Sequence, residues 1–269
     1  MRQDGVVRVG LIQMAAAQDP DANLAAIRRL SADDEVDVWI APEAVMHDFG
    51  PPDLALGPVA QQLDGPFVTS LSKLATERGA AFVAGMFEVS DDPERPYNTL
   101  VMVDAGGELA ATYRKTHLYD SFGYQESDRL RQGEPVPVVA DVSGTTVGLM
   151  TCYDLRFPEH ARALVDAGAD VLAVPAAWVR GPLKEGHWET LLRARAIENT
   201  VFVAAAAQCG RTYCGRTMLI DPLGVPVAGL GEAEGATTGT VSLDRIAEVR
   251  ATNPALTHRR WGVSPSAAD

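Results

Sequence analysis

The chain has 269 residues, 46% hydrophobic and 22% charged, which suits a soluble protein with a substantial core in one large domain or two small ones. Its 23 Lys and Arg against 36 Asp and Glu leave a net charge of −13. That balance argues against a general nucleic-acid binder, which needs a basic face, and against docking on an anionic membrane. No apolar run approaches the ~20 residues of a membrane span. The N-terminal apolar stretch is short, is broken by Arg8 and lacks a signal-peptide layout. The 3 cysteines are too few and odd in number for a disulfide framework, so a reducing cytoplasm is expected.

Val6 to Met14 reads as a buried strand. Asp19-Pro20 then opens a helix with Leu24, Ile27 and Leu30 at helical spacing. Val36 to Ile40 is a second strand, stopped by Pro42. A loop-rich stretch from Gly50 to Pro66 precedes a helix over Thr69 to Arg78 and a strand over Ala80 to Phe87. Thr99–Val103 and Leu109–Tyr113, joined by Asp104-Ala105-Gly106-Gly107, read as a hairpin. So do Val136–Val142 and Thr146–Met150 around Ser143-Gly144. The pattern then predicts a helix over Pro158 to Ala167, a strand over Val171 to Val174, a helix over Trp188 to Asn199 and a strand over Val201 to Ala207. Met218–Ile220 and Val225–Val227 form a last hairpin. Continuous apolar strands imply sheets covered on both faces, and the hairpins mean the pairing is not purely parallel. A layered α/β sandwich fits better than a doubly wound nucleotide fold. With no linker or composition shift, a single domain over 1–269 is expected, with residues from Trp261 onward a loose or neighbour-packed tail.

Cys152 follows the apolar run Val147 to Met150 and precedes a helix, so it sits on a strand-to-helix turn. Free backbone N–H groups and partial positive charge there favour a thiolate nucleophile, although an isolated cysteine is more often an inert buried thiol. Of the five histidines none lies in a papain-type or caspase-type signature, and His160 is placed toward solvent or a loop. Glu43, just past the strand ending in Ile40, is either a solvated loop residue or a cleft base whose pKa burial would raise. Lys115 is either a surface lysine or a compact positive charge for an oxyanion, and Glu126 could orient it or a water. Cys209 and Cys214 lack a second ligand pair for zinc, and the glycines make no dinucleotide-binding motif.

Ala41-Pro42-Glu43, the run Tyr113-Arg114-Lys115-Thr116-His117-Leu118-Tyr119-Asp120, and the run Thr151-Cys152-Tyr153-Asp154-Leu155-Arg156-Phe157-Pro158-Glu159 occur in this order. Together they resemble the nitrilase superfamily of carbon–nitrogen hydrolases, over about Val6 to Arg260. The stretches from Pro175 to Glu185, His187-Trp188, Leu191 to Glu198 and Ala204 to Arg211 are most similar to the deaminated glutathione amidases of bacteria. Gly215-Arg216-Thr217 departs from the Gly-His-Ser of many members, and Ala41 replaces a larger hydrophobic residue.

The resemblance implies an α-β-β-α sandwich, a homodimer, and chemistry without metal or organic cofactor. It also implies Cys152 as nucleophile, Glu43 as proton acceptor and donor, Lys115 and the Tyr153 backbone N–H as oxyanion donors, and Glu126 as their support. The substrate implied is a small amide, foremost deaminated glutathione. A ω-amidase or other aliphatic amidase or nitrilase is the competing enzyme, and a non-catalytic dimeric module the competitor of another class. Arg180 is the preferred contact for a substrate carboxylate. Arg156 is weighed against a salt bridge with Glu159, Trp178 as pocket wall against core, and His187 stands as a further binding residue.

Overall fold

The computed structural model describes residues 5–32 and 35–265, so the reading of the extreme N-terminus and of the last four tail residues lies outside them. The first strand, β1 (Val6–Gln13), alternates its side chains between two buried environments. Val7, Val9 and Leu11 point to one, and Ile12 and Met14 to the other. Helix α1 (Pro20–Leu30) starts where Asp19 accepts hydrogen bonds from the N–H groups of Asp21 and Ala22, with Pro20 already set to a helical φ. Strand β2 (Val38–Ile40) is shorter than the apolar pattern promises. Helix α2 (Pro66–Arg78) begins three residues before the expected Thr69, on the proline itself, and ends at Gly79 in the left-handed conformation. Strands β3 (Ala81–Glu88), β4 (Tyr97–Val103) and β5 (Leu109–Arg114) follow as an antiparallel meander.

A two-residue pair, β6 (Asp120–Ser121) and β7 (Tyr124–Gln125), makes a small hairpin outside the main sheets. The second half runs through β8 (Val139–Val142), β9 (Thr145–Leu149), α3 (Pro158–Asp166), β10 (Val171–Ala176), α4 (Lys184–Asn199), β11 (Phe202–Ala207), β12 (Met218–Ile220) and β13 (Pro226–Gly229). Helix α4 starts four residues before the expected Trp188. The β6–β7 pair had no counterpart in the sequence reading, and neither did β14 (Gly235–Ser242) and α5 (Leu243–Thr252). Of these, β14 is a Gly/Thr-rich, half-buried strand with no apolar run, and its identity as a strand comes from antiparallel pairing along the whole of β1.

The strands form two six-stranded sheets, ordered β14-β1-β2-β3-β4-β5 and β13-β12-β11-β10-β9-β8. Both are mixed: β1-β2-β3 and β9-β10-β11 are parallel, and the flanking pairs antiparallel. One core lies between the sheets, joining Val9, Ile40 and Met102 to Leu149, Ala173 and Ala204. A second packs α1 and α2 on the outer face of the first sheet through Ile27, Phe67 and Leu71. A third packs α3 and α4 on the outer face of the second through Leu164, Trp188 and Leu192. The architecture is therefore the α-β-β-α sandwich.

Gly85 in β3 shows how this packing reaches the site. A Cβ there would lie 2.4 Å from the Ala44 nitrogen and 2.8 Å from the Glu43 Cα, both backbone atoms. The segment carrying Glu43 is laced to β3 by Ala41 N–H to the Val83 carbonyl, Gly85 N–H to that of Pro42 and Met46 N–H to that of Gly85. Gly85→Ala should therefore push Glu43 out of place. We expect a stability loss of roughly 1–3 kcal/mol by denaturant unfolding, accompanied by a fall in turnover. A stable variant with unchanged turnover would show that this close approach is not needed.

Candidate active site

Glu43, Lys115, Glu126 and Cys152 line one cleft of about 450 Å³. Glu43 follows β2, Lys115 follows β5, and Cys152 follows β9 in the opposite sheet. Glu126 opens a short turn after β7. Lys115 extends the β4–β5 ladder by donating its N–H to the Asn98 carbonyl at 2.8 Å, which aims its side chain inward.

The Lys115 ammonium, 2% exposed, donates to Glu43 Oε1 at 2.8 Å and to Glu126 Oε1 and Oε2 at 3.0 and 2.9 Å. Burial works against its charge, but Glu126 and Glu43 outweigh that and hold its pKa well above the ordinary lysine value. Glu126 is shifted up by burial and by the neighbouring Glu43, against the pull of Lys115. It also accepts the Tyr119 N–H at 2.6 Å. Glu43 accepts further hydrogen bonds from Asn98 Nδ2 at 2.8 Å and from the Ala177 N–H at 2.7 Å, and Gln208 Nε2 donates to its carbonyl. The carboxylate is thus gripped from both sheets.

Cys152 has φ +46°, a left-handed conformation that costs a non-glycine residue of order 1 kcal/mol and that presents the side chain at the head of a sharp turn. The turn is a short 3-10 helix, Cys152–Arg156, whose first hydrogen bond is donated by the Asp154 N–H to the Thr151 carbonyl. The Cys152 and Tyr153 N–H groups precede it and have no partner within the helix. The expected thiolate-favouring environment is overturned. Burial first, then the charge and hydrogen bond of Glu43, raise the thiol pKa well above its ordinary value, and Lys115 offsets this only in part. This environment disfavours the thiolate form of Cys152.

A second buried carboxylate, Asp154, supports the turn. It accepts from the Thr151 N–H at 2.8 Å, the Tyr113 hydroxyl at 2.7 Å and the His117 N–H at 3.2 Å, and its Oδ1 lies 2.7 Å from His117 Nδ1. Burial opposes its ionisation, but His160 and His117 beside it lower its pKa far below the usual carboxylate range. His160 therefore does not face solvent. Its ring lies 5.4 Å from that of Tyr113, and its Nδ1 is 3.7 Å from Asp154. Glu159 is the partner expected of Arg156, yet this guanidinium lies 4.9 Å above the Trp178 ring in the cleft wall. Its Nε and one Nη are buried without a hydrogen-bond partner.

Arg180 also lines the cleft, but its Nε donates to the Gly210 and Tyr213 carbonyls and its Nη2 pairs with Glu232 at 3.0 Å. Arg156 thus keeps two buried donors without a partner, whereas Arg180 already engages its Nε and Nη2. Trp178 is buried and lines the cleft, whereas Trp188 is core. His187 stands on α4 away from the cleft lining. Asn98, Lys184 and Phe122 belong to the site without having been singled out from sequence. Cys209 and Cys214 are free and buried.

The chain matches the carbon-nitrogen hydrolase family over residues 8–251. It is 39% identical to the deaminated glutathione amidase of Escherichia coli O157:H7, covering 95% of this chain and 97% of that protein. The crystal structure of the Caenorhabditis elegans NitFhit protein superposes with a TM-score of 0.89 at 28% identity, covering 100% of this chain and 69% of that one. A CN-hydrolase superfamily protein from Xanthomonas campestris, with an arsenic adduct in its active site, superposes with a TM-score of 0.86 at 30% identity, covering 97% and 99%.

The thiol environment is directly measurable. Alkylation of Cys152 by iodoacetamide should accelerate only at a pH above that of free cysteine, and Glu43→Gln, by removing the adjacent negative charge, should move the midpoint down. A wild-type midpoint at or below that of free cysteine would contradict the thiol assignment. Fold, cleft and likeness agree: the chain belongs to the carbon–nitrogen hydrolase family and is an amide-hydrolysing enzyme of it.

Proposed function

We propose that the chain hydrolyses deaminated glutathione to 2-oxoglutarate and cysteinylglycine through a thioester on Cys152. The observation that carries this reading is the convergence of a thiol, a triply held carboxylate and a buried ammonium on one cleft. The substrate carries a carboxylate at each end, and the under-bonded guanidinium of Arg156 in the cleft wall supports a carboxylate contact there. The amidases named for this substrate among the relatives support the same choice.

The amide carbonyl docks against Lys115 Nζ and the Tyr153 N–H. As Cys152 Sγ attacks the carbonyl carbon, its proton passes to Glu43, and charge builds on the oxygen facing the two donors. Glu43 then returns that proton to the leaving nitrogen, the C–N bond breaks, and cysteinylglycine departs. A water gives its proton to Glu43 and adds to the thioester. Collapse releases the acid and restores the thiol. Glu126 keeps Lys115 charged and in place throughout. Because burial and Glu43 disfavour a free thiolate, attack is coupled to proton transfer to Glu43 as the polarised carbonyl accepts the electron pair.

Intact-protein mass spectrometry during turnover should show an acyl adduct of the 2-oxoglutaryl mass, absent in Cys152→Ala. Stronger turnover of 2-oxoglutaramate than of deaminated glutathione would assign the chain to the ω-amidases instead. Lys115→Met should cost ~10²-fold or more in kcat. It also leaves two buried carboxylates facing each other, a loss of roughly 3–5 kcal/mol at neutral pH. That loss should shrink as pH falls, because one carboxyl takes up a proton. A pH-independent loss in thermal melts would refute the charge argument.

The homodimer proposal is supported by Trp261, 88% exposed, and by the exposed Leu223, Val225 and Val227 at and beside β13. Sedimentation reads it directly, and a monomer at micromolar concentration rejects it. A cytoplasmic setting is supported by three unpaired thiols.

A further inference from the structure

Lys184 is the first residue of α4, and it is 7% exposed although it lines the cleft. Its ammonium donates to the Tyr119 hydroxyl at 2.8 Å and lies 4.8 Å from the Tyr119 ring centroid and 5.0 Å from that of Phe122. Among the described residues no carboxylate pairs with it. A buried cation without an anion is costly, and a hydroxyl and two ring faces replace only part of its hydration. The backbone also gives way to place it: Leu183, just before, has φ +62°. The Trp178 indole N–H donates to the Lys184 carbonyl at 2.8 Å, fixing the base of the side chain.

A run of hydrogen bonds links this cation to the Glu43 side of the cleft. Glu43 binds Lys115, Lys115 binds Glu126, Glu126 accepts the Tyr119 N–H, and the Tyr119 hydroxyl accepts from Lys184. Lys184 is thus joined to the flank of Glu43, the group that protonates the departing amine. Arg156 instead rides on the turn of Cys152, the sulfur that keeps the acyl part. Both cations approach the Phe122 ring, Lys184 at 5.0 Å and Arg156 at 6.0 Å from its centroid.

We propose that Lys184, held by Tyr119, is a specificity-determining residue that binds a free carboxylate on the leaving-amine fragment. Arg156 serves the acyl side. The substrate class is then an N-acyl peptide or amino acid whose amine portion ends in a carboxylate. This rests on the amidase reading above and goes beyond it by naming what the leaving group must carry.

The test compares deaminated glutathione with its C-terminal glycinamide analogue, which keeps the acyl part, the scissile bond and the size but lacks the terminal charge. Wild-type enzyme should favour the free acid by roughly 30-fold or more in kcat/KM, mainly through KM. Lys184→Met should bring that ratio close to one. Tyr119→Phe, which keeps the N–H to Glu126, should lower it part of the way. Equal use of the two peptides by wild type, or a Lys184→Met enzyme that loses both in parallel with the ratio kept, overturns the subsite and leaves the amidase reading standing. Wild type that cleaves other small amides but neither peptide removes the substrate reading and the subsite together.

Discussion

The structure depends on one buried arrangement: the ammonium of Lys115 between the carboxylates of Glu43 and Glu126, all three 1–2% exposed. Removing three charges from water is costly, and the mutual attraction repays it only when geometry is close and the remaining lone pairs are filled. Here they are filled by Asn98 Nδ2, the Ala177 N–H and the Tyr119 N–H. Those donors come from β4, from the loop after β10 and from the loop before β6. The cluster is therefore affordable only once both sheets are in register and face each other. The same condition brings the Cys152 turn, which belongs to the second sheet, up against two groups that belong to the first.

Asp154 plays a complementary part in the framework. One of its oxygens takes the N–H of Thr151, the residue before Cys152. The same carboxylate holds the Tyr113 hydroxyl and the His117 backbone and ring, on either side of Lys115. The Tyr113 hydroxyl in turn accepts the Thr116 N–H at 3.0 Å. The strained turn of Cys152 is thus tied directly to the segment carrying the ammonium it faces. This closes a second ionic knot beside the first, and it makes the separation of sulfur from lysine a property of the framework rather than of two free side chains.

What the sequence reveals follows from how local each signal is. Hairpins with Asp-Ala-Gly-Gly or Ser-Gly turns and helices opened by Pro20 and Pro158 are written in neighbouring residues, and their pairing partners are near. Strand β14 was invisible because its register belongs to β1, more than two hundred positions earlier, and its Gly and Thr side chains carry no apolar alternation. Glu43, Lys115 and Cys152 stand at strand ends, where chemistry-bearing residues are conspicuous. Asn98 lies inside β4 and looks like a strand residue until its side chain meets Glu43. The bonding state of the two arginines was hidden for the same reason. Whether a guanidinium is spent depends on carbonyls at Gly210 and Tyr213 and on Glu232, which no spacing near Arg180 discloses.

Cys152 shows why local reasoning can give the wrong sign. A turn at the mouth of a strand, with unpaired N–H groups, does draw negative charge, and taken alone it would lower a thiol pKa. Yet the segment that supplies those dipoles also carries the sulfur into a site already holding two carboxylates against one ammonium, where further negative charge is opposed by burial and by Glu43. Burial and a full carboxylate charge outweigh partial charges on two amides. In the proposed mechanism the consequence is a division of labour: the Tyr153 N–H serves the oxygen of a bound carbonyl rather than the sulfur. It acts on charge that exists only while the amide is being opened, which is where fixed dipoles contribute most to rate.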